Sequence, residues 1–140
     1  MNLTAEIALN PIPVTIIHMA GDLDAATYQE VIAFAKQHIQ EGAKNLLLDI
    51  SEMRFMSSSG LVALYSIVTL LRGSTPPNPE EGWNALHAVS REVEKSSGFE
   101  KHLKILQPQP RVAKTLTITG FDKFIEVFTD QQAALASFTE

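Results

Sequence analysis

The sequence predicts a single α/β domain: a mixed, mostly parallel sheet of about five strands with about four helices. Three observations carry this. Short apolar runs alternate with segments of helical spacing, the pattern of strands connected through helices. The first two runs are joined by a short proline-containing link, which fits an antiparallel hairpin and makes the sheet mixed. The run from Leu46 to Ile50 is apolar almost without interruption, as in a strand covered on both faces.

At 140 residues the chain is long enough for one domain with a real core. No apolar run reaches the length of a membrane span, so none is expected. The start, MNLTAEIALNP, has no basic region followed by a long apolar stretch, so no signal peptide is expected. The chain has no cysteine, which excludes disulfides, thiolate metal sites and a cysteine nucleophile, and fits a cytoplasmic location. A net charge of −5 without a basic cluster argues against nucleic acid and for a basic protein surface as partner.

The elements follow in order. Leu3, Ala5, Ile7 and Leu9 alternate with polar or small residues and predict the first strand. Asn10–Pro13 breaks it, and Val14–Ala20 is the second strand. Gly21, Asp22, Leu23 and Asp24 read as a turn, with Asp24 or Thr27 as helix cap and Thr27 with Glu30 as a capping box. Tyr28, Val31, Ile32, Ala35 and Ile39 share one helical face that ends at Gly42. The strand from Leu46 to Ile50 then gives way to a polar turn and to Ser57, Ser58, Ser59 and Gly60. Leu61, Leu64, Val68 and Leu71 continue at helical spacing.

From Gly73 the character changes, and residues 73–97 read as an insert within the domain. Gly73–Gly82 is a proline-rich linker that no helix can cross. Trp83, Leu86, Val89 or Ser90, and Val93 suggest a short amphipathic helix with a polar remainder, closed by Ser96, Ser97 and Gly98. Leu103–Leu106 is a strand, and Pro108 and Pro110 open a helix with Val112, Leu116 and Ile118 inward and Gly120 at its end. Phe124, Ile125, Val127 and Phe128 form a last strand. Thr129 with Gln132 caps a last helix that buries Ala134, Leu135 and Phe138.

Function concentrates at the serines. A helix start offers free N–H donors and a partial positive charge, so a serine there suits phosphorylation. One serine is enough for a cap, and three beside Gly60 exceed that need. The turn at Gly21–Asp24 lies at the same sheet edge, since both connections follow strands and precede helices. Other chemistry has no anchor. His18, His38, His87 and His102 are scattered without ligand spacing, so no metal is expected. Ser58 lacks the G-x-S-x-G elbow of a hydrolase, and no phosphate-binding G-x-x-x-x-G-K-[ST] loop is present.

The residues also resemble the STAS domain, the fold of bacterial anti-sigma factor antagonists. The resemblance rests on Gly21-Asp22-Leu23-Asp24, on Asp49-Ile50-Ser51, on Phe55-Met56 followed by Ser57-Ser58-Ser59-Gly60-Leu61, and on Ile118-Thr119-Gly120-Phe121. It covers most of the chain outside residues 73–97. It implies a non-enzymatic regulator without cofactor that binds an anti-sigma factor which is also a serine kinase. The kinase would phosphorylate Ser58 and so release the antagonist, and a PP2C-type phosphatase would reset it. Ser57, Ser59 and Gly60 would support the phosphosite, and Gly21, Asp22, Asp24, Leu61 and Val62 would meet the partner. Ser57 departs from the family pattern, which places Asp there. That departure favours a competing reading, a phosphorylation-independent scaffold of a stress-sensing or lipid-transport complex. A small-ligand or nucleotide-binding domain is the third reading. The helix after the serines is expected to put Gly73, where the insert begins, about 20 Å from Ser58. The insert is therefore assigned a second surface, for self-association as a homodimer or for another partner.

Overall fold

The computed structural model describes residues 1–9, 11–73 and 98–139. Five strands, β1 (Asn2–Leu9), β2 (Pro13–Leu23), β3 (Leu46–Met56), β4 (Leu103–Leu106) and β5 (Val127–Phe128), form one sheet in the order β1-β2-β3-β4-β5. β1 and β2 are antiparallel, and every other neighbouring pair is parallel. The four α-helices among the described residues are α1 (Tyr28–Gln40), α2 (Ser58–Leu71), α3 (Pro110–Thr119) and α4 (Gln131–Ser137). The mixed α/β architecture is the one the sequence predicts. The linker, the helix around Trp83 and the rest of the expected insert lie outside the described residues.

Strand periodicity sorts the core onto two faces of the sheet. Ile17, Met19, Leu48 and Ile105 join Val31 of α1, Leu64 of α2 and Val112 of α3 in the larger cluster. Val14, Ile16, Leu47 and Leu106 turn the other way, against Ala134, Leu135 and Phe138 at the C-terminal end. The two-sided burial explains the unbroken apolar run of β3. α2 is buried from Gly60 through Thr69, so it runs through the core, and its inner and outer faces read alike in sequence.

Several local expectations are corrected. β2 does not stop at Ala20. Gly21, Asp22 and Leu23 continue it, because β3 also runs on to Met56 and pairs with them as far as Leu23↔Met56. The polar stretch after Ile50 is therefore strand rather than turn: Met53 and Met56 face inward while Glu52 and Arg54 are exposed. Two register shifts, at His18/Ala20 and Gly21/Asp22, disturb the simple alternation that would have revealed it. The Thr27–Glu30 capping box does not form, since the Thr27 hydroxyl is engaged by the preceding turn. Ile118 is 72% exposed rather than inward.

The last strand is also shorter than expected. Phe124 and Ile125 are buried, but they follow a 3₁₀ turn at Phe121–Lys123 and precede β5. Asp130, not Thr129, caps α4, its carboxylate accepting the Ala133 N–H at 3.0 Å. Phe138 is buried just beyond that helix.

An ion pair joins the two sides of the long connection between α2 and β4. Arg72, at the end of α2, donates from Nη2 at 2.6 Å and Nε at 3.0 Å to one oxygen of Glu100. Glu100 is 7% exposed and donates its own N–H to the Phe124 carbonyl at 2.9 Å. Arg72→Ala leaves that carboxylate buried without its cation and should cost about 2–3 kcal/mol in urea unfolding. An unchanged unfolding midpoint would remove the pair from the account.

Candidate functional site

The site begins where β2 and β3 end side by side. The Ser57 N–H donates to the Leu23 carbonyl at 2.9 Å, which extends the ladder by one bond beyond the strand pair. Ser57 is thereby fixed as the residue before α2, and the chain turns at once into helix. The Ser57 carbonyl accepts from Gly60 at 2.9 Å and Leu61 at 3.3 Å.

Gly60 is placed by close packing. A Cβ there would lie 2.6 Å from Met56 Cγ and 3.0 Å from Leu23 Cγ. No real side chain tolerates such contacts, so the first turn of α2 sits directly on the ends of both strands. Leu61 and Val62, expected at the partner surface, are 4% and 6% exposed. They anchor the helix in the core, and their side chains do not form a contact surface.

The three serines have different environments. Ser58 is exposed at the first helical position, Ser59 is half-buried, and Ser57 is half-buried with its Oγ fully enclosed and without a hydrogen-bond partner. No side chain caps α2, and its first turn holds no acidic residue. The N–H groups of Ser58 and Ser59 have no acceptor among the described residues, as the geometry of a helix start requires. Ser58 therefore combines an accessible hydroxyl with the positive pole of a 14-residue helix.

The neighbouring strand end carries the acidic residues. Gly21 adopts φ +115°, a conformation other residues rarely take, at one of the register shifts. Asp22 is half-exposed, and its carboxylate lies 3.5 Å from Arg54 Nε across the strand pair. Asp24 is committed to the turn: its carboxylate accepts from the Ala26 N–H at 2.9 Å and the Thr27 hydroxyl at 3.3 Å. Thr27 Oγ1 in turn donates to the Asp22 carbonyl at 2.8 Å and accepts the Asp24 N–H at 3.0 Å. The expected site residues thus separate into an exposed set, Ser58 and Asp22, and a supporting set, Gly21, Asp24, Ser57 and Gly60.

Two cations escaped the sequence reading. Arg54, whose side chain is 74% exposed, faces Asp22, and the Arg111 guanidinium lies 5.2 Å from the Phe55 ring centroid. The signal for Arg54 was the alternation Glu52-Met53-Arg54, legible once that segment is read as strand. Arg111 comes from a distant helix and had no local signal.

A second polar cluster lies further back on the sheet face. His18 Nδ1 is 2.7 Å from Asp49 Oδ2, and His18 Nε2 is 3.6 Å from Glu6 Oε2. With a carboxylate on each side of the ring, no nucleophile occupies the place a hydrolytic triad requires. Among the described residues no group of His, Cys, Asp or Glu could hold a metal ion. Burial disfavours the Asp49 carboxylate, but hydrogen bonds from Ser51 and from His18, with the histidine's charge, outweigh it and hold the pKa below its ordinary value.

Gly60→Ala should destabilise the fold by about 1–3 kcal/mol in urea unfolding, because Met56 and Leu23 must move aside. A neutral effect would contradict the tight joint. For Asp49, a lowered folded pKa means its stabilising contribution is complete above the unfolded value and is lost as pH falls through the folded one. Asp49→Asn should therefore flatten the decline in stability below about pH 4, measured by urea unfolding across pH. An identical acid limb in both proteins would count against the contribution.

Residues 6–74 match the family model described as the STAS domain. No curated protein matches the chain by sequence. Among solved structures, a candidate anti-sigma factor antagonist from Thermotoga maritima superposes with a TM-score of 0.69 at 14% identity, covering 97% of this chain and 93% of the other. An anti-sigma factor antagonist from Mycobacterium paratuberculosis gives 0.61 at 17% identity, covering 99% and 96%. The anti-sigma factor antagonist SpoIIAA in its unphosphorylated form gives 0.52 at 19% identity, covering 94% and 93%. These likenesses establish a shared fold.

Proposed function

We propose that this chain, which carries a STAS domain, is a non-enzymatic regulator that binds a serine-kinase anti-sigma factor and is released when Ser58 is phosphorylated. The observation that carries the proposal is the exposed Ser58 at the first position of a well-anchored helix, beside the β2 end that bears Asp22. A phosphate adds about −1.5 to −2 charge at pH 7. Within the chain, the free N–H groups and the helix pole accommodate that charge, so the fold need not change. At a docked interface the same charge must lose its water or face acidic groups, and binding weakens. The switch is local electrostatics. A PP2C-type phosphatase restores the binding form, and the exchange takes place in the cytoplasm, where the sigma factor acts.

Ser57 supports a second reading. This position brings no negative charge next to Ser58, and its hydroxyl is enclosed, so it offers a kinase nothing to grip. A STAS module that binds its partner without phosphate control would keep the same fold and edge. Both readings use the same surface and differ only in what Ser58 does.

Phosphorylation with the cognate kinase separates them. Mass spectrometry should find one phosphate, on Ser58, and none on Ser58→Ala. Ser58→Asp should weaken binding to the kinase at least tenfold, about 1.4 kcal/mol. Phosphate on another residue, or none, would end the phosphoswitch. Unchanged binding by Ser58→Asp would favour the constitutive module.

A further inference from the structure

On one face of the sheet, Leu3 and Ala5 of β1 and Ile17 of β2 pack into the larger core cluster. The next cross-strand pair on that face is Ile7 opposite Thr15, beside the place where α1 ends at Gln40. Ile7 is left 70% exposed. A groove of about 490 Å³ opens there, within the size range of small-molecule sites. Ile7 and Thr15 form its floor, Ile12 and Pro13 one wall, and Gly42 and Ala43 the other. Leu9, 75% exposed, continues the apolar strip along β1.

The polar groups around the groove are not equivalent. Glu41 Oε1 accepts from Gln37 Nε2 at 3.3 Å, and the His38 ring packs on Phe34 with centroids 4.8 Å apart, so both are engaged by α1 itself. The carbonyls of Gln37, His38 and Ile39 accept from the N–H groups of Glu41 at 3.1 Å and of Ala43 and Gly42 at 3.0 Å, which occupies the carbonyl end of the helix. Two donors remain. Thr15 is 7% exposed, yet its hydroxyl has no hydrogen-bond partner among the described residues. A buried hydroxyl without a partner costs free energy that a ligand oxygen would recover. Lys44, exposed at the rim, forms no ion pair among the described residues, in a chain that carries −5 overall.

We propose that the groove binds a single-chain amphiphile with an anionic head, a medium-chain carboxylate. The carboxylate accepts from the Thr15 hydroxyl and the Lys44 ammonium, and the alkyl chain lies on Ile7, Ile12 and Pro13 toward Leu9. A carboxylate accepts from several donors at once and donates none, which is what two unpartnered donors require. A cationic head would set a second ammonium beside Lys44, and an alcohol would leave that charge unmatched. Walls on two sides suit one chain rather than a bilayer surface. The site does not rest on the function proposed for Ser58: it lies beside the start of β2, whereas Ser58 follows the carboxyl end of β3.

Decanoate, decylammonium and decanol share one chain length and differ in the head, so together they test the assignment. Titrated into the ¹⁵N-labelled chain, decanoate should give saturable amide shifts centred on Ile7, Thr15 and Ala43, and decylammonium should bind about tenfold more weakly. Lys44→Gln should weaken decanoate about three- to fivefold, the range of an exposed ion pair, and leave decanol unaffected. Thr15→Val removes the hydroxyl at similar volume and should weaken decanoate about fivefold, with circular dichroism unchanged. No saturable binding, shifts mapped away from the groove, or equal binding of decanoate and decylammonium would overturn the proposal. So would a Lys44→Gln chain that binds decanoate as tightly as the unmodified one.

Discussion

The contact on which the rest of the site depends is the seat of Gly60 on Met56 and Leu23. It brings the first turn of α2 down onto the ends of two neighbouring strands, closer than any side chain would permit. The bond from Ser57 to the Leu23 carbonyl fixes the same junction through the backbone. Because the helix is held from below, Ser58 is presented outward at its start. The buried side chains of Leu61 and Val62 complete the anchor and position what lies above them.

The turn after β2 consumes its own polar groups: Asp24 and Thr27 satisfy each other and the adjacent backbone, leaving Asp22 and Arg54 as the charges on the surface. On the proposed reading, a charge added to Ser58 acts on this frame and changes the potential of the edge rather than its shape. The Arg72–Glu100 pair plays a comparable part at the far end of α2, where it ties the helix end to the chain returning into β4.

The sequence disclosed the strand–helix alternation, the opening hairpin and the serine-rich helix start, because each leaves a local periodic or polar signature. It hid whatever depends on strand pairing. Gly21-Asp22-Leu23 has turn-forming composition, yet it extends β2 because β3 offers it a partner. Ser51–Arg54 was polar enough to pass for a turn, and only the burial of Met53 and Met56 reveals a strand. The burial of Leu61 and Val62 was equally hidden, since a helix enclosed all round has no outer face to read. The cap at Thr129 was misplaced, and Thr27 takes the cap position of α1 without the side-chain bond of a capping box, because a capping pattern does not tell which nearby group the hydroxyl will meet.

The central claim is that α2 welcomes a phosphate on Ser58 without rearrangement. It can be tested without any kinase by incorporating phosphoserine at position 58 during synthesis and following the ³¹P resonance with pH, together with the amide spectrum. The account predicts a second phosphate pKa below its usual value of about 6, with amide shifts confined to the first turn of α2 and the adjoining end of β2. An unshifted phosphate pKa, or changes spread through the sheet, would contradict it.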